Sequence, residues 1–496
     1  MATLIEQLSD WATGLRLDDV PPRVRSLAVS QLLAHLGALC AGARHSTGRR
    51  VLALGAPLGD DAAQSAYVMA ALTMLLDFDD TVFAGHVSHS SVGVPLAYAR
   101  RAGLDGERLL LSIVAATEVA ARVTAAATLG PFRGQTAAHT HLAGAVAGRC
   151  AAESLGAATM ADALGLAFAQ PPWPLQHAFF GSDAKLLTAA TPVRTGLDAV
   201  AAARARLHGA PDMLEHPGAF LARFATTPLP EAIGGLGERW HTDTLSIKVH
   251  PGCAYIDAAV DAAVALHPQV ADRFDQISGV EVDASIFTVG MEERSAPYLS
   301  GPRSGLAALN FSTGYSVACA LRRGRVAVED FEAERVGDGV VWRVADLVSV
   351  RHDPDLSRRA LLAAAPIGAA LRMAGPAGAA WLAGGAGIGE DEALAMLGEP
   401  ERDFEHAEKA VGARVRVVFE DGSEVRAAVD VPRGAAGAET RVRHREIARA
   451  KFTANAAALL GEDGADEMAA AVEALPGAGI TAVREVLDRL GEALRR

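Results

Sequence analysis

The segment Asp77-Phe78-Asp79-Asp80-Thr81, followed by His86-Val87-Ser88-His89, sets three carboxylates and two imidazoles close together in the chain. The acids close an apolar run over residues 66–76 that reads as a buried helix. A helix C-terminus already carries partial negative charge, so carboxylates there are unfavourable. Buried carboxylates also cost several kcal/mol unless each finds a partner. Acids in this place serve chemistry, a cation or one tight turn. The bland readings are a solvated turn, or pairing with Arg100 and Arg101 downstream. Thr81 and His86 tilt the balance toward chemistry, because imidazole is the side chain suited to proton transfer near neutral pH.

Two further groups carry candidate chemistry. His139 and His141 stand in Ala138-His139-Thr140-His141 at the start of a small-residue helix. Such a pair can ligate a metal, yet no nearby acid or third histidine completes a local site, so none is predicted and each ring is by default structural. Lys185, in Gly181-Ser182-Asp183-Ala184-Lys185, and Lys248, in Ile247-Lys248-Val249-His250-Pro251-Gly252-Cys253, are isolated cations in apolar segments of a lysine-poor chain. Lysine is a point-charge partner for carboxylates. Acids, histidines and lysines together predict proton chemistry on an anionic small molecule.

The elements that must position these residues are mostly helical. Half of the 496 residues are hydrophobic, only 5% are aromatic, and the formal charge is -13. That balance argues against nucleic acid as a partner. Four dispersed cysteines with no CxxC pair suit a reduced, cytoplasmic protein. The N-terminus lacks the pattern of a signal peptide, and no apolar run of about 18 residues predicts a membrane span. Helical spacing recurs over residues 24–41, 109–127, 142–155 and 160–168, and Pro171-Pro172-Trp173-Pro174 makes a rigid loop. Strands are predicted over 276–289, 340–350 and 415–431, the last with Asp421-Gly422 as a hairpin turn. Helices are predicted over 314–321 and 391–397 and again over 443–496. The Gly-rich run 384–389 reads as a flexible loop, and no dinucleotide or P-loop motif occurs. The simplest architecture is mainly α with an inserted α+β domain: helices over 1–246, a smaller lid over 247–436, and helices over 437–496 rejoining the first domain.

Several of these segments, in order, resemble the MmgE/PrpD family, which includes 2-methylcitrate dehydratase, cis-aconitate decarboxylase and an iminodisuccinate epimerase. The carriers are LDFDDT with His86-Val87-Ser88, SDAKLLTAA around Lys185, IKVHPGC around Lys248, the segment from Asn310 to Ala318, the hairpin Phe419-Glu420-Asp421-Gly422, and Lys451-Phe452. The resemblance implies a helical domain with an α+β lid, a homodimer, and no metal or organic cofactor. It places Asp77, Thr81, His86, a histidine near 139, Lys185 and Lys248 in the active site. His141, His250 and Ser312 fall in the same motifs and are added as substrate contacts. The chain departs from the family pattern at Val87, which replaces a proline, and in a step to His86 that is one residue short. It also departs at Thr188, Ala190 and His250, and at His139-Thr140-His141, where either histidine fits. These departures point away from 2-methylcitrate itself.

The expected function is a cofactor-independent lyase acting on a di- or tricarboxylate through a carbanion-like state, by dehydration or decarboxylation. In this reading Lys185 and Lys248 polarise carboxylates, and His86 and His139 serve as base and acid. Asp77 orients its neighbours and Thr81 bonds the substrate. Epimerisation, or carboxylate binding without turnover, are the alternatives on the same scaffold. A Mg²⁺-diphosphate enzyme using Asp77, Asp79 and Asp80 would need a second acidic motif, and none is seen.

Overall fold

Pro22 opens the helix Pro22–Arg44, where its missing N–H costs nothing and its fixed φ favours the first turn. Asp61 caps Ala62–Met74 by accepting from the amides of Ala63 and Gln64, and Asp105 caps Gly106–Ala126. The computed structural model describes residues 2–131, 138–386 and 388–495. Its N-terminal part is a helical assembly completed by Thr140–Ala152, Ala157–Phe168 and Ala184–Arg204. The C-terminal helices Ala438–Leu460, Glu462–Ala474 and Ile480–Arg495 return to the same assembly.

Two glycines on the first long helix set its crossings. A Cβ at Gly37 would lie 3.1 Å from Phe452 Cα, and one at Gly42 would lie 2.1 Å from the Leu72 carbonyl oxygen. Backbone therefore meets backbone at both crossings, and a side chain at Gly42 would push the helices apart. Pro22–Arg44 and Gly106–Ala126 are long and apolar enough to span a membrane by length and composition. Their apolar windows are 89% and 94% buried, so internal packing takes up that surface.

The middle of the chain supplies a four-stranded sheet. A two-residue antiparallel pair, β1 (Asp80–Thr81) with β2 (Ser246–Ile247), stands apart from it. The larger sheet contains β3 (Ile277–Ala284), β4 (Val348–His352), β5 (Ala413–Phe419) and β6 (Glu424–Val429), in the order β4-β3-β5-β6. The β3–β4 pair is parallel, and the β3–β5 and β5–β6 pairs are antiparallel. Ala413, Val415, Val417 and Phe419 of β5 are buried in alternation, which turns one sheet face toward the helices Asp257–Val270 and Thr313–Arg323. The 415–431 hairpin forms as expected, with Gly422 at φ 79°.

Two expected strands are shorter than predicted. The run predicted over 276–289 stops at Ala284, and Ile286–Ser295 is a helix despite its β-branched start. Packing overrides propensity there: Phe287 stacks on Tyr255 at 5.5 Å, and the Thr288 hydroxyl donates to the Tyr255 carbonyl. Within 340–350, Asp338 caps a helix over Gly339–Ala345, and the strand begins only at Val348. Trp342 holds that helix by donating to the Val336 carbonyl. Part of the Gly-rich run extends the helix Pro376–Ala386, and Gly387 lies outside the described residues.

Candidate active site

The helix Ala62–Met74 ends where the acids begin, and the chain turns through Asp77 at φ 50°, in the left-handed region that few non-glycine residues adopt. Three segments hold this turn in place. β1 pairs with β2, the Gly252 amide donates to the Leu76 carbonyl, and Asn310 Nδ2 donates to the Leu75 carbonyl. The acidic segment, the IKVHPGC segment and the Asn310 loop thus meet at one point, although they are far apart in sequence.

The acids are buried and paired with lysines. Lys185 Nζ donates to Asp77 Oδ1 at 3.2 Å and to the Met74 carbonyl at 3.0 Å. Lys248 Nζ donates to Asp77 Oδ2 at 3.1 Å, to the Asp77 carbonyl at 2.6 Å and to Asp79 Oδ1 at 2.9 Å. Burial alone would raise the Asp77 carboxyl, but Lys185 and Lys248 hold it below the ordinary range. Asp79 is held well below that range against burial by His86, Lys248 and His89. Burial lowers Lys185, whereas Asp77 and Asp79 outweigh burial at Lys248 and raise it. Asp80 is pushed up by burial and accepts from Gln31 Nε2 at 2.7 Å. Arg100 and Arg101 take no part: they pair with Asp60 and Asp488, and with Glu153.

His86 Nδ1 lies 2.7 Å from Asp79 Oδ2, and burial lowers its pKa. A neutral ring that donates from Nδ1 to Asp79 keeps its Nε2 lone pair for a substrate proton. His89 Nε2 is 3.3 Å from the same oxygen. Asp79, His86 and His89 thus bring three potential metal-ligand atoms within 4.8 Å of one another. The Lys248 ammonium on Asp79 already supplies positive charge at that carboxylate, and a cation there would sit beside it.

Asp77, Thr81 and His86 line one narrow cleft of about 30 Å³, together with Tyr255, Phe179 and Phe311. Lys185 and Lys248 stand behind Asp77. His139 lies on an adjoining cavity of about 710 Å³, its ring edge-on to Phe220 at 4.8 Å. The remaining expected contacts lie elsewhere. His141 is buried beside Ser90 Oγ at 3.2 Å, His250 pairs with Asp261 at 2.8 Å, and the Ser312 hydroxyl caps Thr313–Arg323 by accepting from the Tyr315 amide. None of these three lines either cavity among the described residues, because each has a local structural partner.

Sequence reasoning missed Lys409 and Tyr255. Lys409 precedes β5 and donates to Thr81 Oγ1 at 3.2 Å. Tyr255 borders both cavities, and burial pushes its phenol up to about 12, which keeps it a donor. A signal for Lys409 was present. Only four of the chain's 46 basic residues are lysines, namely Lys185, Lys248, Lys409 and Lys451. All four are buried around the acidic turn, Lys451 donating to the Phe78 carbonyl. Arginine serves everywhere else; a compact ammonium with an adjustable pKa is kept here.

The chain matches the MmgE/PrpD N-terminal domain over residues 6–232 and the MmgE/PrpD C-terminal domain over residues 250–372. No curated protein matches it. With a large helical N-terminal domain, a smaller C-terminal domain built on a sheet, and both family domains in sequence order, the chain belongs to the MmgE/PrpD family.

Proposed function

We propose that the protein is a lyase that removes a proton next to a carboxylate and expels a leaving group, using its own side chains. The observation that carries this reading is the Asp79–His86 pair at 2.7 Å, with His86 on the wall of the same cleft as Asp77 and Thr81. Asp79 fixes the ring so that Nε2 takes the proton, a step that typically contributes about 10²–10⁴-fold. Negative charge then develops on the substrate. Lys185 and Lys248 act through Asp77 and Asp79: they keep both acids ionised and hold an oriented, nearly neutral charge array beside the reacting carbon. Thr81 bonds the substrate, and His139, on the adjoining cavity, returns a proton to the leaving group. A cleft of about 30 Å³ holds little more than one water, so substrate enters with opening of the lid.

Membership of a family that includes dehydratases favours elimination. Epimerisation shares the same first step and differs only in where the proton returns. The test is proton exchange in deuterated water, followed by NMR, over a panel of 2-hydroxy and unsaturated carboxylates. Exchange or elimination that disappears in His86→Gln supports the reading; full turnover in that variant removes it.

A further inference from the structure

This inference rests on the carboxylate reading above and concerns what the carboxylate carries. The charges of Lys185 and Lys248 are matched by Asp77 and Asp79, so that cluster offers no net charge to a ligand. Lys409 differs. It is 7% exposed and lines the cleft beside Thr81 and His86. Among the described residues its ammonium forms no ion pair, and its hydrogen bond is to the Thr81 hydroxyl at 3.2 Å. A buried ammonium with unused donors is costly until an anion arrives. Burial and the nearby Lys248 lower it to about 8 against the pull of Asp257 and Asp79, neither of which pairs with it directly, which leaves it cationic at neutral pH.

The second observation is the cavity next door. The cleft and the cavity of about 710 Å³ share Tyr255 and Met291. Beyond them the wall formed by the described residues is mostly carbon, including Phe224, Ile286, Phe287, Leu371 and Trp381. Among the described residues its polar exceptions are two threonines, His139 and the exposed Arg294, one of whose donors, Nη1, bonds its own helix at the Gly290 carbonyl, 2.6 Å away. A second or third carboxylate placed against those carbon side chains, away from Arg294, would be desolvated with little return. We propose that the substrate is a carboxylate with a single apolar substituent, the carboxylate received by Lys409 and Thr81 and the substituent by the cavity behind Tyr255 and Met291.

Calorimetry on the full chain with 3-phenylpropionate, 3-phenylpropionamide and citrate tests this. The acid should bind at least about tenfold more tightly than its amide and than citrate, the scale of one buried charge-assisted hydrogen bond. Lys409→Met, checked for an unchanged melting temperature, should bind acid and amide equally, and Lys409→Arg should restore part of the difference. Equal binding of acid and amide by the wild-type protein overturns the role of Lys409, a result that needs no variant. Citrate binding more tightly than phenylpropionate, and depending on Lys409, overturns the apolar substituent while sparing the carboxylate reading. No binding of any of the three overturns both.

Discussion

Two of the protein's ion networks have opposite character. On the outer face of the sheet, Arg351 reaches Glu281 and Asp283, each at 3.0 Å, and Arg416 joins Glu281 and Glu424. All of these groups stay in water. At the acidic turn, Asp77 and Asp79 are bridged by Lys185 and Lys248 with almost no exposure. Distances are similar in the two networks, so geometry does not separate them; solvent does. Exposed pairs gain little over hydration and are screened by salt, whereas a buried pair leaves an uncompensated charge when one partner goes. Between these two networks residue choice follows the same division, arginine outside and lysine inside, although arginine is also buried where Arg122 pairs with Glu118.

The comparison predicts effects that fall steeply from one region to the other. Lys248→Ala should be the most severe change, because it strands Asp77 and Asp79 in the interior. We expect a loss of about 3–5 kcal/mol in stability by chemical denaturation, together with loss of turnover. Wild-type-like stability in this variant would mean that the cluster is wet. His86→Gln should cost about 10²–10⁴-fold in kcat with little change in melting temperature, since the amide keeps a donor for Asp79.

Acidity provides a third test, with opposite signs inside one site. Asp77 and Asp79 lie below their ordinary pKa when folded, so the stability they contribute is present above pH 3.8 and is lost as pH falls below it. Asp257, raised by burial from 3.8 to about 7, behaves the other way: stability is lost as pH rises from about 4 through 7. Asp257→Asn should therefore raise the melting temperature at pH 8 and match wild type near pH 4. A variant that is less stable at pH 8 would show that the charged form has a partner. The smallest effect belongs to Arg351→Ala, which should leave the melting temperature nearly unchanged at moderate salt; a clear drop that persists at high salt would erase the contrast between the two networks.

Much of the candidate site was legible before any coordinates. The acidic run after an apolar helix, and two lone lysines in apolar surroundings, break ordinary composition rules, and such breaks gather where function overrides packing. Asp77, Thr81, His86, Lys185 and Lys248 lie close together, but the two lysines, expected to meet the substrate, face Asp77 and Asp79 and do not line the cleft. His141, His250 and Ser312 were legible only as residue types, since nothing local announces Ser90, Asp261 or the Tyr315 amide as partners. The helix at Ile286–Ser295 was hidden for a related reason: Ile-Phe-Thr-Val favours a strand until Phe287 finds Tyr255.

By itself, the sequence determined the helical texture, the hairpin at Asp421-Gly422, the family and the charged groups that must find partners, because each depends on local spacing or residue type. The tertiary structure alone decided which lysine faces which acid. Lys185 and Lys248 turn to Asp77, and Lys409, 328 residues from Thr81, arrives at its hydroxyl. Pairing of buried charges depends on distance and dielectric in the folded state, and neither is written in the order of residues.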